Sequence, residues 1–203
     1  MSATIPLVRL AILASGGGSN LQAIIDYLDA LGDERAADVV FVASERPGAH
    51  ALARAARRGI ATAVIARPDD GPALVTLLED HQIDIIVLAG YLKFVPAEVT
   101  RRWAGRIINI HPSLLPKFGG AGMYGRRVHE AVIAASESES GATVHHVNEE
   151  FDRGEIIAQE RVRVEPGDTP ETLAARVLDA EHRLYPRTLQ ELALAILGIP
   201  TSD

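Results

Sequence analysis

The chain of 203 residues contains no cysteine, which excludes disulfides, thiolate zinc sites and a cysteine nucleophile and permits a cytoplasmic home. No apolar run reaches the length needed to cross a bilayer. Met1 to Pro6 is too short for a secretory signal and lacks its charged start and cleavage pattern. The expectation is therefore a cytoplasmic protein without a membrane partner. Basic residues never cluster beyond the pairs Arg57-Arg58, Arg101-Arg102 and Arg126-Arg127, and the formal net charge is −7. That argues against a nucleic-acid backbone as partner. Histidines at helical metal-ligand spacing are missing, and so are internal repeats and linkers. Residues 1–203 read as a single domain with enough apolar content for a full core.

What is present is an alternation of strand and helix signals. Leu7 to Ala14 is a compact apolar run, followed by Ser15-Gly16-Gly17-Gly18-Ser19-Asn20 and then by Leu21, Ile24, Ile25 and Leu28 at helical spacing. Further strands fit Ala37 to Ser44, Thr62 to Ile65, Ile83 to Ala89 and Arg106 to His111, with helices over Ala49 to Arg58 and Pro72 to His81. This order predicts an α/β, Rossmann-like fold: a mostly parallel central sheet with helices on both faces and ligands bound beyond the carboxyl ends of its strands. Lys117 to Arg127 is glycine-rich and reads as a long mobile loop. A helix over Val128 to Ala135, a polar loop over Ser136 to Ser140 and strands over Ala142 to Val147 and Ile156 to Val164 follow. Thr169 caps a last helix that Pro186 should kink or interrupt.

The chemistry concentrates at Ile108-Asn109-Ile110-His111-Pro112-Ser113-Leu114-Leu115-Pro116. Residues two apart on a strand share a face. Asn109 and His111 therefore aim an amide and an imidazole at one small volume, while Ile108 and Ile110 face the core. Pro112 ends the strand and leaves the imidazole at a rim. Upstream, the consecutive glycines offer backbone N–H groups at a helix N-terminus, which suits a phosphate; a ligand-free tight turn is the plainer reading. A dinucleotide fingerprint is weakened by Leu21 at its third glycine position; Glu45 after the second strand could mimic the ribose-binding acid but lies rather far downstream. Ser19 and Asn20 favour a terminal phosphate monoester. Asp152 is either a turn residue or the carboxylate partner of His111, whose pKa it would raise. Of His145 and His146, on opposite strand faces, one at most reaches the site.

Taken together, these segments resemble the folate-dependent phosphoribosylglycinamide formyltransferases, from Val8 to the helix around Leu189. The stretch Ser15 to Ala23 resembles that family's phosphate loop, Val87 to Val95 its folate-bordering segment, and Asn109-x-His111-Pro112-Ser113-Leu114-Leu115-Pro116 its signature. Gly141-x-x-Val144-His145, Phe151-Asp152-x-Gly154 and Glu181-His182-Arg183-Leu184-Tyr185-Pro186 are similar to its later motifs. The resemblance implies formyl transfer from the co-substrate 10-formyltetrahydrofolate to the amine of glycinamide ribonucleotide, without a metal, through a tetrahedral intermediate. It assigns Asn109, His111 and Asp152 to catalysis. Gly16, Gly17, Gly18, Ser19, Asn20 and Glu181 fall to the ribonucleotide, and Leu92, Lys93, Phe94 and Val95, with Asn109, to the folate. The segment Ala66 to Leu74 is shorter than in relatives, leaving Arg67 as a candidate for the folate tail, and a monomer or a homodimer is expected.

Other functions share parts of the pattern. Methionyl-tRNA formyltransferase and formyltetrahydrofolate deformylase use the same Asn-x-His and Asp arrangement but carry extra domains for which this chain has no room. A metal hydrolase using His111, His145 or His146 and Asp152, and a non-catalytic sugar-phosphate-binding module, are alternatives from different classes.

Overall fold

The computed structural model describes residues 6–200; the Met1 to Ile5 part of the opening segment read for a signal lies outside them. Val8–Leu13 forms β1, and its apolar residues are buried on both faces, because helices cover the sheet front and back. Leu10 and Ile12 enter one core cluster, and Ala11 and Leu13 the other. The chain then builds α1 (Ser19–Leu31), β2 (Ala37–Ser44), α2 (His50–Arg57), β3 (Ala61–Val64), α3 (Gly71–Asp80), β4 (Ile85–Leu88), α4 (Ala97–Arg102) and β5 (Ile107–His111). After it come α5 (Arg126–Ala134), β6 (Glu139–His146), β7 (Ile156–Arg163) and α6 (Pro170–Ile196). Among the described residues seven strands make one sheet in the order β3-β2-β1-β4-β5-β6-β7.

The strands β1 to β5 pair in parallel, as expected for βαβ units, but β6 and β7 run antiparallel. A hairpin rather than a crossover joins those last two, which needs only a short loop. The register sets His145 opposite Asn109 and Thr143 opposite His111. Strand order reverses direction between β1 and β4, the kind of switch point beyond which α/β sheets bind ligands.

Several boundaries differ from the sequence expectation. The polar stretch read as a loop over Ser136 to Ser140 is partly strand, since β6 begins at Glu139. Helix α5 begins at Arg126, shortening the glycine-rich loop. The short α4 carries no apolar periodicity; it is framed by Pro96 at its start, Glu98 in its first turn and Arg101 and Arg102 in its last, which complement the helix dipole. Pro186 does not interrupt α6. It removes one helical hydrogen bond, but Leu184, Tyr185, Thr188 and Leu189 around it are all buried, and that packing holds the helix together.

Tyr185 also fastens α6 to the sheet. Its hydroxyl, fully buried, lies 3.1 Å from the Leu88 carbonyl at the end of β4 and 3.0 Å from that of Ile108 on β5. One O–H is shared between two strands.

Candidate active site

A cavity of about 640 Å³ opens at this end of the sheet. Asn109, His111 and Asp152 border it together, as do Asn20 and Glu181, and so do Leu92, Lys93, Phe94 and Val95. The sheet explains the first pair: Ile108 and Ile110 pack into the core on the α6 side, which turns Asn109 and His111 to the opposite face. Asp152 arrives from the β6–β7 connection with a left-handed backbone, φ 54°. Gly154 is required two residues on, because a Cβ there would overlap the His146 carbonyl oxygen.

His111 is 4 % exposed. Its Nε2 lies 2.8 Å from the Phe118 carbonyl oxygen and therefore donates, which leaves Nδ1 bare, 3.5 Å from Asp152 Oδ2. Burial lowers the His111 pKa and outweighs the attraction of Asp152 and the Phe118 bond; His145 adds to the lowering. The expected upward pull of Asp152 on this pKa is present, but desolvation outweighs it and the net direction is downward. For Asp152 itself burial works upward, but the contact with His145, the charge of His111 and the 2.9 Å hydrogen bond from the Gly120 N–H together hold its carboxyl below the ordinary range.

His145 is the strand histidine that borders the cavity, and residue reasoning alone gave it a role only in the metal-hydrolase alternative. Its Nδ1 donates to the His146 carbonyl at 2.8 Å, so its Nε2 is free to accept from the Asn109 amide nitrogen at 3.1 Å. That contact fixes which way the Asn109 amide points and leaves its second N–H for a ligand. No local sequence signal marks the pairing, which comes from the strand register that sets the two residues opposite each other.

The glycine-rich turn is more divided than its sequence suggests. Gly16 and Gly17 are exposed, and Ser19 is half-buried at the start of α1. Gly18 has φ 72°, and a Cβ on it would come within 2.8 Å of Ala51 Cα. Of these loop residues Asn20 alone is among those bordering the cavity; its amide nitrogen donates to Glu181 Oε2 at 2.6 Å, and its Oδ1 is buried without a partner. Glu181 is 8 % exposed, and burial pushes its pKa up to about 7 against the pull of Asn20.

Glu45 does not face the cavity as a ribose acid would; its carboxylate accepts from the Ser15 hydroxyl at 2.9 Å, and the same hydroxyl accepts the Leu92 N–H at 2.8 Å. Arg67 is exposed, pairs with Asp70 at 2.6 Å and does not border the cavity, so the candidate folate-tail contact has no support there. Phe94 and Phe151, both exposed, meet edge to face with ring centres 5.1 Å apart at the cavity. Among the described residues no cluster of three metal-ligating side chains occurs, and no helix is long and apolar enough to cross a membrane.

A profile of the formyl transferase family matches residues 8–189, nearly the whole of the sheet and its helices. The chain belongs to the formyl transferase family. Among relatives, the chloroplastic phosphoribosylglycinamide formyltransferase of Arabidopsis thaliana is 43 % identical over 184 residues, 87 % of this chain. The chain spans 62 % of that protein's own length. A solved phosphoribosylglycinamide formyltransferase from Brucella melitensis superposes with a TM-score of 0.84 at 43 % identity, covering 98 % of this formyl transferase and all of that chain. A formyltetrahydrofolate deformylase from Pseudomonas syringae shares the fold at TM-score 0.83 but only 27 % identity, and this chain covers 63 % of it.

Proposed function

We propose that this formyl transferase moves the formyl group of 10-formyltetrahydrofolate to the amine of glycinamide ribonucleotide, a step of purine biosynthesis. The observation that carries the reading is the meeting of Asn109, His111 and Asp152 in one cavity with Asn20, Glu181 and Leu92 to Val95. Residues 1–203 act as one catalytic domain in the cytoplasm, with no metal required. The names of its relatives at about 40 % identity favour this acceptor over water.

In the mechanism the ribose phosphate sits on the N–H groups of Gly16, Gly17, Gly18, Ser19 and Asn20, and Glu181 holds the ribose or glycinamide portion. Remote binding energy then orients the amine. Leu92, Lys93, Phe94 and Val95 border the folate. The amine nitrogen attacks the formyl carbon, and the carbonyl π electrons move to oxygen. The free N–H of Asn109 donates to that oxyanion in a water-poor site. His111 starts neutral with Nδ1 bare, so it takes a proton from the attacking nitrogen, directly or through water, as Asp152 stabilises the new imidazolium. The cation then stands beside the oxyanion. Collapse of the intermediate breaks the bond to the folate nitrogen, which takes that proton and leaves as tetrahydrofolate.

The test mixes purified protein, glycinamide ribonucleotide and 10-formyltetrahydrofolate and follows tetrahydrofolate release. Release should depend on the ribonucleotide and match formylated product one for one. Equal release without it would replace the transferase by a deformylase, and no release with retained ligand binding would leave a sugar-phosphate-binding module.

A further inference from the structure

One buried imidazole at the cavity has no part in the chemistry above. His129, on α5, is 4 % exposed, borders the cavity, and has an Nδ1 that is buried without a hydrogen-bond partner. A buried polar group left unpaired costs free energy, so each exception in a native protein asks for an explanation; here the burial of Nδ1 decides which ring nitrogen is bare and which is offered to the cavity. Helix α5 packs against α6, which carries Glu181 to the same cavity. Asn20, hydrogen-bonded to Glu181, borders the same cavity, and its Oδ1 is likewise buried and partnerless. The folate-bordering segment instead follows β4.

The protonation state of His129 follows from its surroundings. Burial lowers its pKa, and the charge that His111 acquires lowers it further, so the ring is neutral and carries a single N–H. A partnerless buried N–H is rarer in folded proteins than a partnerless acceptor. The sealed Nδ1 is therefore the bare nitrogen, and Nε2 presents its N–H to the cavity. A phosphate would favour a charged histidine; a neutral donor fits a carboxamide or hydroxyl oxygen.

We propose that His129 is a further substrate-binding residue, its Nε2–H donating to an uncharged oxygen of the phosphorylated amine substrate. The inference rests on the formyl-transfer reading of this cavity. It adds a contact from α5, so that the acceptor is held from that helix as well as from the glycine-rich turn.

The experiment compares wild type with His129→Ala, His129→Gln and His129→Asn, with thermal melting to establish that each is folded. Glutamine places its amide nitrogen where Nε2 stands, whereas asparagine reaches only as far as Nδ1. His129→Ala should raise KM for glycinamide ribonucleotide roughly tenfold, the loss of one hydrogen bond to a buried donor, with the folate KM unchanged. His129→Gln should recover most of that loss, and His129→Asn should not. An unchanged acceptor KM in His129→Ala, or equal behaviour of the Gln and Asn variants, overturns the assignment. Failure of the wild type to formylate the ribonucleotide would instead overturn the transfer reading, so the two failures are told apart.

Discussion

Replacing Glu181 by glutamine should change how stability depends on pH. The carboxyl is enclosed by the core side of α6 and meets only the Asn20 amide, and burial moves it from an ordinary 4.5 to about 7. Between those two values the folded protein holds a proton that the unfolded chain has released. The unfolding free energy therefore falls as pH rises through this window, and the stability contributed by the neutral acid is fully present below 4.5 and gone above about 7. At 1.36 kcal/mol per pH unit, the move is worth about 3 kcal/mol. Glutamine keeps an oxygen for the Asn20 N–H but cannot ionise. Urea unfolding of wild type and Glu181→Gln from pH 5 to pH 8 isolates the term, since all other titrating groups are common to both. The variant should gain on the wild type by about 2.5 kcal/mol across the range, the part of the shift that lies above pH 5. Parallel curves would refute the reasoning and show that the carboxylate is ionised in the folded protein throughout.

Asp152→Asn should lower kcat by roughly 10²–10⁴ while melting temperature and substrate binding persist, because asparagine tolerates the left-handed backbone and can still accept from Gly120; near-normal turnover would remove Asp152 from the proton transfer. His145→Phe keeps an aromatic ring but loses the acceptor that orients Asn109, and kcat should fall roughly 10- to 100-fold with KM little changed; a pure KM effect would place His145 in substrate binding instead. Turnover should survive exhaustive chelation, and a loss restored by added metal would revive the metal-hydrolase reading.

The pairing of Asn109 with His111 was legible in the sequence because a two-residue strand period needs no tertiary knowledge: the two had to share a face once Ile108 and Ile110 were placed in the core. The glycine-rich turn announced itself in the same way, through local backbone requirements. The pairing of His145 with Asn109 was not legible, since it depends on β6 running antiparallel to β5 in one register, a long-range choice. Nor was the downward shift of the His111 pKa, where a carboxylate neighbour and burial oppose each other and only the extent of burial decides. Pro186 misled for a related reason: a local rule about helix interiors gave way to packing on a helix deeply embedded in the core.

The hydroxyl of Tyr185 touches the backbone of both strands that lead into the site, β4 ahead of the folate-bordering segment and β5 beside Asn109, while Glu181 stands one turn earlier on the same helix. Helix α6 thus serves as a common datum for the end of β4, for β5 and for Glu181. A small displacement of that helix carries the three reference points together, so their mutual distances tolerate thermal motion that would disorder a site assembled from independent loops.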